Sequence, residues 1–191
     1  MAVSLRAPRP SGSFLSGREP PADMIDLLYR TLYRLAYRAM RVYWAIFHPR
    51  THGALVALWH DGEILLVHNS YTPYFSLPGG YVRWRETGRD AARRELEEEV
   101  GIRAEPAELE PVLDVQARWE GKHDRVEIFE LDLARRPVFE VDHREVVEAR
   151  FLPPARALEL ELFPPVRAAI ERRIRARHVN EPAPEPDRTS G

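Results

Sequence analysis

Apolar runs separated by turn residues predict a group of β-strands in the middle of the chain. Residues 53–59 and 63–68 are almost continuously apolar, and the intervening Asp61-Gly62 is typical of a hairpin turn. Because polar residues do not alternate with apolar ones, both strands are expected to be buried on both faces. The remaining predicted strands are 75–77, 112–119, 125–133 and 146–152, with turns at 77–80 and 121–124.

Helical spacing predicts three helices around these strands. In the first, Ala92, Leu96 and Val100 recur at i, i+4 and i+8 and form an apolar stripe. Thr87 is suited to cap the start of this helix, and Gly101 is suited to end it. A sheet covered by helices on both faces, an α/β or α+β fold, is favoured by this pattern. The three helices are predicted at 87–100, 155–162 and 164–178.

A longer amphipathic helix is predicted within residues 22–48, where His48-Pro49 stops it. One side is apolar, a second carries arginines and a third carries tyrosines. Four arginines would be costly inside a bilayer, so this helix is not expected to span one. The stripes are Leu28, Leu32, Leu35, Ala39 and Ile46; Arg30, Arg34, Arg38 and Arg41; and Tyr29, Tyr33 and Tyr37.

Three roles for this N-terminal helix stay open at the level of sequence. It can pack on the domain or on a second copy of the chain, which would make a homodimer. It can attach to an anionic membrane surface. It can also cover a substrate cleft.

Composition narrows the class of protein. The 191 residues carry a net charge of −2, so no bulk attraction to nucleic acid and no stable nucleic-acid binding is expected. The absence of cysteine excludes disulfides, cysteine-ligated zinc and thiol nucleophiles. No signal peptide or spanning segment can be recognised, so a cytoplasmic protein is expected. Residues 1–21 and 179–191 are expected to be disordered tails, which leaves one domain over 49–178.

Three glutamates, Glu95, Glu98 and Glu99, share one side of the helix predicted at 87–100. Their like charges repel, and acids near a helix C-terminus also oppose its dipole. A cation is therefore expected among them. Arg94 offsets part of the charge, and a divalent ion such as Mg²⁺, which takes carboxylate, water and phosphate oxygens, fits the rest. A solvated acidic surface is the alternative.

The segment before this helix supports the same interpretation. Gly79 and Gly80 permit positive φ and let the backbone approach a ligand closely. Glu86, in the loop that follows, is expected to pair with Arg94 and so to lock the loop to the helix.

Together these residues resemble the Nudix box: Gly80, then Glu86, then Arg94-Glu95-Leu96-Glu97-Glu98-Glu99-Val100-Gly101-Ile102. The chain is similar to a Nudix hydrolase at all nine defining positions. The resemblance implies an α/β/α sandwich with a mixed sheet, and hydrolysis of a diphosphate linked to another moiety by metal-activated water. It further implies that Glu95, Glu98 and Glu99 bind Mg²⁺ or Mn²⁺, that Glu95 can be the base, and that the Gly79 carbonyl can complete the metal shell.

Glu145 is the candidate outside the box for a further metal ligand or for the base. In Nudix enzymes an acid often lies at about this offset from a strand aromatic, here Phe151. Glu148 is the second candidate.

The substrate-binding candidates surround the box. Arg83 and Arg85 replace the acid and glycine that are common in this loop of the family, and a basic pair favours an anionic ligand. Trp84 between them can stack on a base, although two solvated arginines and a half-buried tryptophan are an equal alternative. Further pocket candidates, on the analogy with the family alone, are Tyr71, Tyr74 and Trp119.

The function expected from the resemblance is metal-dependent hydrolysis of a nucleoside diphosphate derivative. Nucleoside triphosphates, damaged nucleotides, nucleotide sugars and RNA 5′ ends all stay open as substrates. A non-catalytic sensor that binds a nucleotide without turnover is the alternative, although no box residue is missing.

Overall fold

A computed structural model of the protein describes residues 22–137 and 145–180. The helices are α1 (Ala22–Phe47), α2 (Gly88–Val100), α3 (Pro154–Ala157) and α4 (Pro164–Asn180). The strands are β1 (Arg50–His60), β2 (Glu63–Asn69), β3 (Phe75–Ser76), β4 (Gly79–Tyr81), β5 (Glu110–Trp119), β6 (Lys122–Asp132) and β7 (Val146–Leu152). The tails predicted at 1–21 and 179–191 lie outside the described residues, except that 179 and 180 continue α4 and are helical.

The strands form one mixed sheet in the order β3-β2-β1-β6-β5, with β4 beside β1 and β7 beside β2. Strand β1 runs parallel to β6 and antiparallel to β2. The Asp61-Gly62 turn joins β1 to β2, as the sequence predicts. The predicted mixed sheet between helices is confirmed.

Both faces of the central strands are buried, as their continuous apolar character predicts. Successive side chains of a strand point to opposite faces. Val56 of β1 therefore lies in the core beneath α2, whereas Trp59 lies in the core beneath α3 and α4. The sheet thus forms the middle layer of a three-layer domain.

Helix α2 has the boundaries that its capping residues predict. The Thr87 hydroxyl accepts a hydrogen bond from the backbone N–H of Asp90 at 3.2 Å, and Gly101 ends the helix at φ 69°. Leu96 and Val100 are buried against the sheet. The opposite side of α2 is therefore the one that carries its glutamates into solvent-accessible space.

Two of the predicted turns are wrong. Gly79–Tyr81 is a short strand paired with β1 rather than a turn, because two glycines without side chains let the backbones approach. The turn between β5 and β6 is confined to Glu120-Gly121, and Lys122 already pairs with Trp119 in the hairpin. The helix predicted at 155–162 also ends early, at Ala157.

Helix α1 contacts the domain through its aromatic side. Trp44 is buried, with its ring 4.5 Å from Lys122 Nζ, and the Tyr37 hydroxyl donates to Glu120 at 2.6 Å. The leucine stripe faces away from the domain and is exposed. Within the described residues, no helix is both long and apolar enough to cross a membrane.

Two leucines test this arrangement. Leu96 is fully buried, whereas Leu32 of α1 is 59% exposed. Leu96→Ala is expected to lower the free energy of unfolding by about 2–5 kcal/mol, and Leu32→Ala by less than about 0.5 kcal/mol. Urea titration followed by circular dichroism measures both. A comparable loss for Leu32→Ala would mean that the outward side of α1 is buried in solution.

Candidate active site

The glutamate side of α2 forms one wall of a cleft of about 430 Å³. Glu95, Glu98 and Glu99 all line it, and Glu145 reaches the same cleft from the start of β7. With Asp124 of β6, which also lines the cleft, five carboxylates from three separate segments share one space. The other predicted residues that line the cleft are Gly79, Gly80, Tyr71, Tyr74 and Arg83.

Gly79 and Gly80 shape the floor of this cleft. Gly79 has φ 147°, and a Cβ there would overlap the carbonyl oxygen of Ala54 on β1. A Cβ on Gly80 would lie 2.5 Å from Glu95 Oε1. The two glycines therefore let β4 pack against β1 while Glu95 lies directly over the strand, which no other residue would allow without a shift.

Arg94 joins the loop before α2 to the acidic side of the helix. Its Nε and Nη2 donate to the two carboxylate oxygens of Glu86 at 2.9 and 3.0 Å, which confirms the predicted ion pair as a bidentate one. Nη1 donates to Glu95 and, at 3.3 Å, to Glu98. The guanidinium also donates to the carbonyl of Tyr81 at 3.1 Å. One cation therefore offsets three of the neighbouring acids.

Hydrogen bonds from Arg94 hold the pKa of Glu86 at about 2, below its usual 4.5. The same contact raises the pKa of Arg94. Both side chains are about 85% shielded from solvent, with exposures of 15% and 14%. Glu86 and Arg94 therefore stay ionised at neutral pH and position the site without lining the cleft.

The other carboxylates are held by neutral donors. The backbone N–H of Gly79 donates to Glu99 Oε2 at 2.9 Å. The Tyr71 hydroxyl donates to Glu145 Oε1 at 2.8 Å, and burial, with the charge of Glu145, raises the pKa of Tyr71. Glu148, the second candidate, pairs instead with Arg150 at 3.0 Å and does not line the cleft. The structure thus brings Glu145, not Glu148, to the box glutamates.

The side chains of Arg83, Trp84 and Arg85, in the loop before α2, do not all face the cleft. Arg83 lines the cleft and lies 3.5 Å from Glu98. Trp84 is 89% exposed, and neither Trp84 nor Arg85 lines the cleft. Tyr74 does line it, and its ring stacks on that of Phe163. Of the substrate-binding and pocket candidates, Arg83, Tyr71 and Tyr74 therefore line the cleft.

Lys122 is a cleft residue that the sequence did not reveal. It is only 7% exposed and donates to the Tyr81 hydroxyl at 3.0 Å and to Asp124 at 3.1 Å. Burial lowers the pKa of Lys122, but Tyr81 and Asp124 outweigh it and leave the pKa above its usual value. The cleft therefore contains a buried ion pair, Lys122 with Asp124. The only local signal for Lys122 is its position beside the two-residue β5–β6 turn. The sequence predicted a longer turn over 121–124, which places Lys122 within the turn instead of at the start of β6.

The chemistry of the cleft fits a divalent cation. Carboxylate oxygens are the ligands that Mg²⁺ and Mn²⁺ prefer, and five carboxylates line this space. Across residues 24–137 and 145–177, no three histidine, aspartate or glutamate side chains lie close enough together to hold one metal ion as they stand. Glu95, Glu99 and Glu145 instead engage donors of the protein, which a cation would have to replace.

The family model described as the NUDIX domain matches residues 49–173. The chain belongs to the NUDIX family. The matched segment contains the whole sheet, α2 and the cleft, and it begins two residues after α1. The reaction class of the family is hydrolysis of phosphoric anhydride bonds. The expected fold and family are confirmed.

Solved structures share this fold. A MutT NUDIX hydrolase from Burkholderia pseudomallei is 25% identical, with a TM-score of 0.55 over 64% of this chain and 96% of that one. An Ap4A hydrolase from C. elegans is 20% identical, with a TM-score of 0.57 over 69% and 99%. A bifunctional NMN adenylyltransferase/ADP-ribose pyrophosphatase from Francisella tularensis, complexed with AMP and a Mn ion, is 19% identical, with a TM-score of 0.56 over 80% and 48%. No curated protein sequence matches the chain.

The Glu86 and Arg94 pair predicts a pH-dependent contribution to stability. Because the pKa of Glu86 is lowered on folding, its stabilisation is present above pH 4.5 and is lost as the pH falls towards 2. Glu86→Gln is expected to lower the free energy of unfolding by about 1–2 kcal/mol at pH 7, after allowance for solvent screening. Urea titrations at pH 7 and pH 3 measure the difference, which should shrink at the lower pH. An equal loss at both pH values would contradict this role.

Proposed function

We propose that this protein is a divalent-metal-dependent pyrophosphohydrolase that cleaves a nucleoside diphosphate linked to another moiety. The observation that supports this most directly is the convergence of Glu145 with Glu95, Glu98 and Glu99 in one cleft. Acids alone would repel a substrate diphosphate. A metal-dependent reaction reconciles an acidic cleft with an anionic substrate.

A divalent ion, when bound, would neutralise diphosphate oxygens and lower the pKa of an attacking water. Glu98 and Glu99 are the residues we assign to hold it. Glu95 and Glu145 are the candidates to accept the proton of the water. Arg94 holds Glu95 against the floor of the cleft, and Tyr71 holds Glu145.

Other residues of the cleft suit the phosphates and the nucleobase of such a substrate. Arg83 supplies positive charge for phosphate oxygens, and Lys122, which is buried and paired with Asp124, lies at the same cleft. Tyr74 and Phe163 provide stacked rings at the same cleft, a surface suited to a nucleobase. This arrangement supports a nucleotide substrate.

A product-release screen tests the reaction. We expect phosphate or pyrophosphate release from at least one nucleoside triphosphate, damaged nucleotide, nucleotide sugar or capped RNA end, only when Mg²⁺ or Mn²⁺ is added. Glu99→Gln is expected to lower kcat on the order of 10³-fold. Glu97→Gln, on the same helix but outside the cleft and paired with Arg103 at 2.6 Å, is the matched control and should leave kcat nearly unchanged. Binding of nucleotides without turnover of any would favour the sensor instead.

A second pair of variants tests the acid outside the box. Glu145→Gln is expected to lower kcat on the order of 10²–10³-fold, because a group that lines the cleft is lost. Glu148→Gln removes an equal charge three residues away, outside the cleft, and should leave kcat within a factor of about three. Steady-state rates at saturating metal and substrate make the comparison. A rate for Glu145→Gln within threefold of wild type would remove Glu145 from the mechanism.

A further inference from the structure

The loop between β2 and β3 contacts Glu145 at two points. The Tyr71 hydroxyl donates to Glu145 Oε1 at 2.8 Å, and the backbone N–H of Ser70 donates to the Glu145 carbonyl at 2.8 Å. Asn69 Nδ2 donates to the Tyr71 hydroxyl at 3.1 Å, so the O–H of Tyr71 is left to point at the carboxylate. The position of the Glu145 carboxylate in the cleft therefore depends on this loop.

Helix α1 lies against the same loop. The rings of Tyr33 and Tyr37 pack on the ring of Tyr71, with centroids 6.1 and 5.2 Å apart. Arg34 Nε, between them in the sequence, donates to the Ser70 carbonyl at 3.0 Å. Because the hydroxyl of a tyrosine lies on the axis of its ring, contacts that place the Tyr71 ring also place its hydroxyl.

The position of Tyr37 is itself fixed by the β5–β6 hairpin. Its hydroxyl donates to Glu120 at 2.6 Å, and its ring meets that of Trp44 edge-on at a centroid distance of 5.9 Å. Trp44 is buried, with Lys122 Nζ 4.5 Å from its ring. Tyr37 is therefore held on one side by the hairpin and holds Tyr71 on the other.

We propose that Tyr37 and Tyr33 are positioning residues that keep Glu145 in place by holding the Tyr71 ring. The inference rests on the proposed function, in which Glu145 is a candidate to accept the proton of the attacking water. Neither Tyr37 nor Tyr33 lines the cleft, so both act on the reaction through Tyr71. Both also precede residues 49–173, which the family model matches. The rate of this protein therefore depends on a helix that the matched segment does not include.

Steady-state kinetics on the substrate found in the product-release screen test this role. Tyr37→Ala is expected to lower kcat on the order of tenfold, because Tyr71 can then turn away from Glu145. Tyr37→Phe keeps a ring against Tyr71 and should retain most of the rate. Tyr43→Ala removes a ring on the exposed side of α1 and is the matched control, with kcat expected within a factor of about two. Tyr33→Ala is a second test variant, should Tyr37→Ala fold poorly.

A double-mutant cycle separates positioning from a general loss of structure. In the Glu145→Gln background the group that Tyr37 positions is already gone, so Tyr37→Ala should lower kcat by less than about twofold. A tenfold loss in both backgrounds would overturn the proposal. An unchanged kcat for Tyr37→Ala in the wild-type background would do the same.

Hydrogen exchange followed by NMR measures the same contacts without turnover. The Ser70 amide, which donates to the Glu145 carbonyl, should exchange on the order of tenfold faster in Tyr37→Ala, because the loop then opens more often. Tyr43→Ala should leave this exchange rate unchanged. If the wild type turns over no substrate, the proposed function fails, and the exchange rate alone decides whether α1 holds the loop. An unchanged rate for Ser70 in Tyr37→Ala would overturn the inference in either case.

Discussion

The Arg94 guanidinium holds together two parts of the site that the chain makes separately. It pairs with Glu86 in the loop and contacts Glu95 and Glu98 on its own helix. Without a cation at this point, these acids would repel one another in the C-terminal half of α2, where the helix dipole also disfavours them. Because the pair with Glu86 is shielded from water and bidentate, it fixes the position of the loop as well as offsetting charge.

Backbone contacts within the sheet decide where these charges meet. Gly79 lies against β1 and donates to Glu99, and Gly80 leaves the space that Glu95 fills. The pairing of β7 with β2 then carries Glu145 to the same cleft from a distant part of the chain. The geometry of the acidic cluster is therefore a property of the sheet, to which α2 is fixed by its buried apolar side.

Helix α1 lies outside the segment that the family model matches, yet its inward side touches the cleft. The Tyr37 ring packs on the ring of Tyr71, whose hydroxyl donates to Glu145. The Tyr37 hydroxyl lies 3.4 Å from the Tyr74 hydroxyl. On the outward side of α1 the leucines are exposed. Helix α1 thus supports the wall of the site with its aromatic side and exposes apolar side chains on its other side.

Short-range spacing was enough to predict α2, its two caps, its acidic side and the pair of Glu86 with Arg94, because these depend on residues within a few turns of one another. It also predicted strands buried on both faces, since that requires only a continuous apolar run. Lys122 escaped prediction because Trp44, Tyr81 and Asp124, which bury it, come from three different elements. The orientation of α1 was likewise undecided, because its leucine and aromatic sides are both apolar enough to pack. The contacts of Trp44 with Lys122 and of Tyr37 with Glu120 and Tyr71 hold the aromatic side inward and leave the leucines exposed.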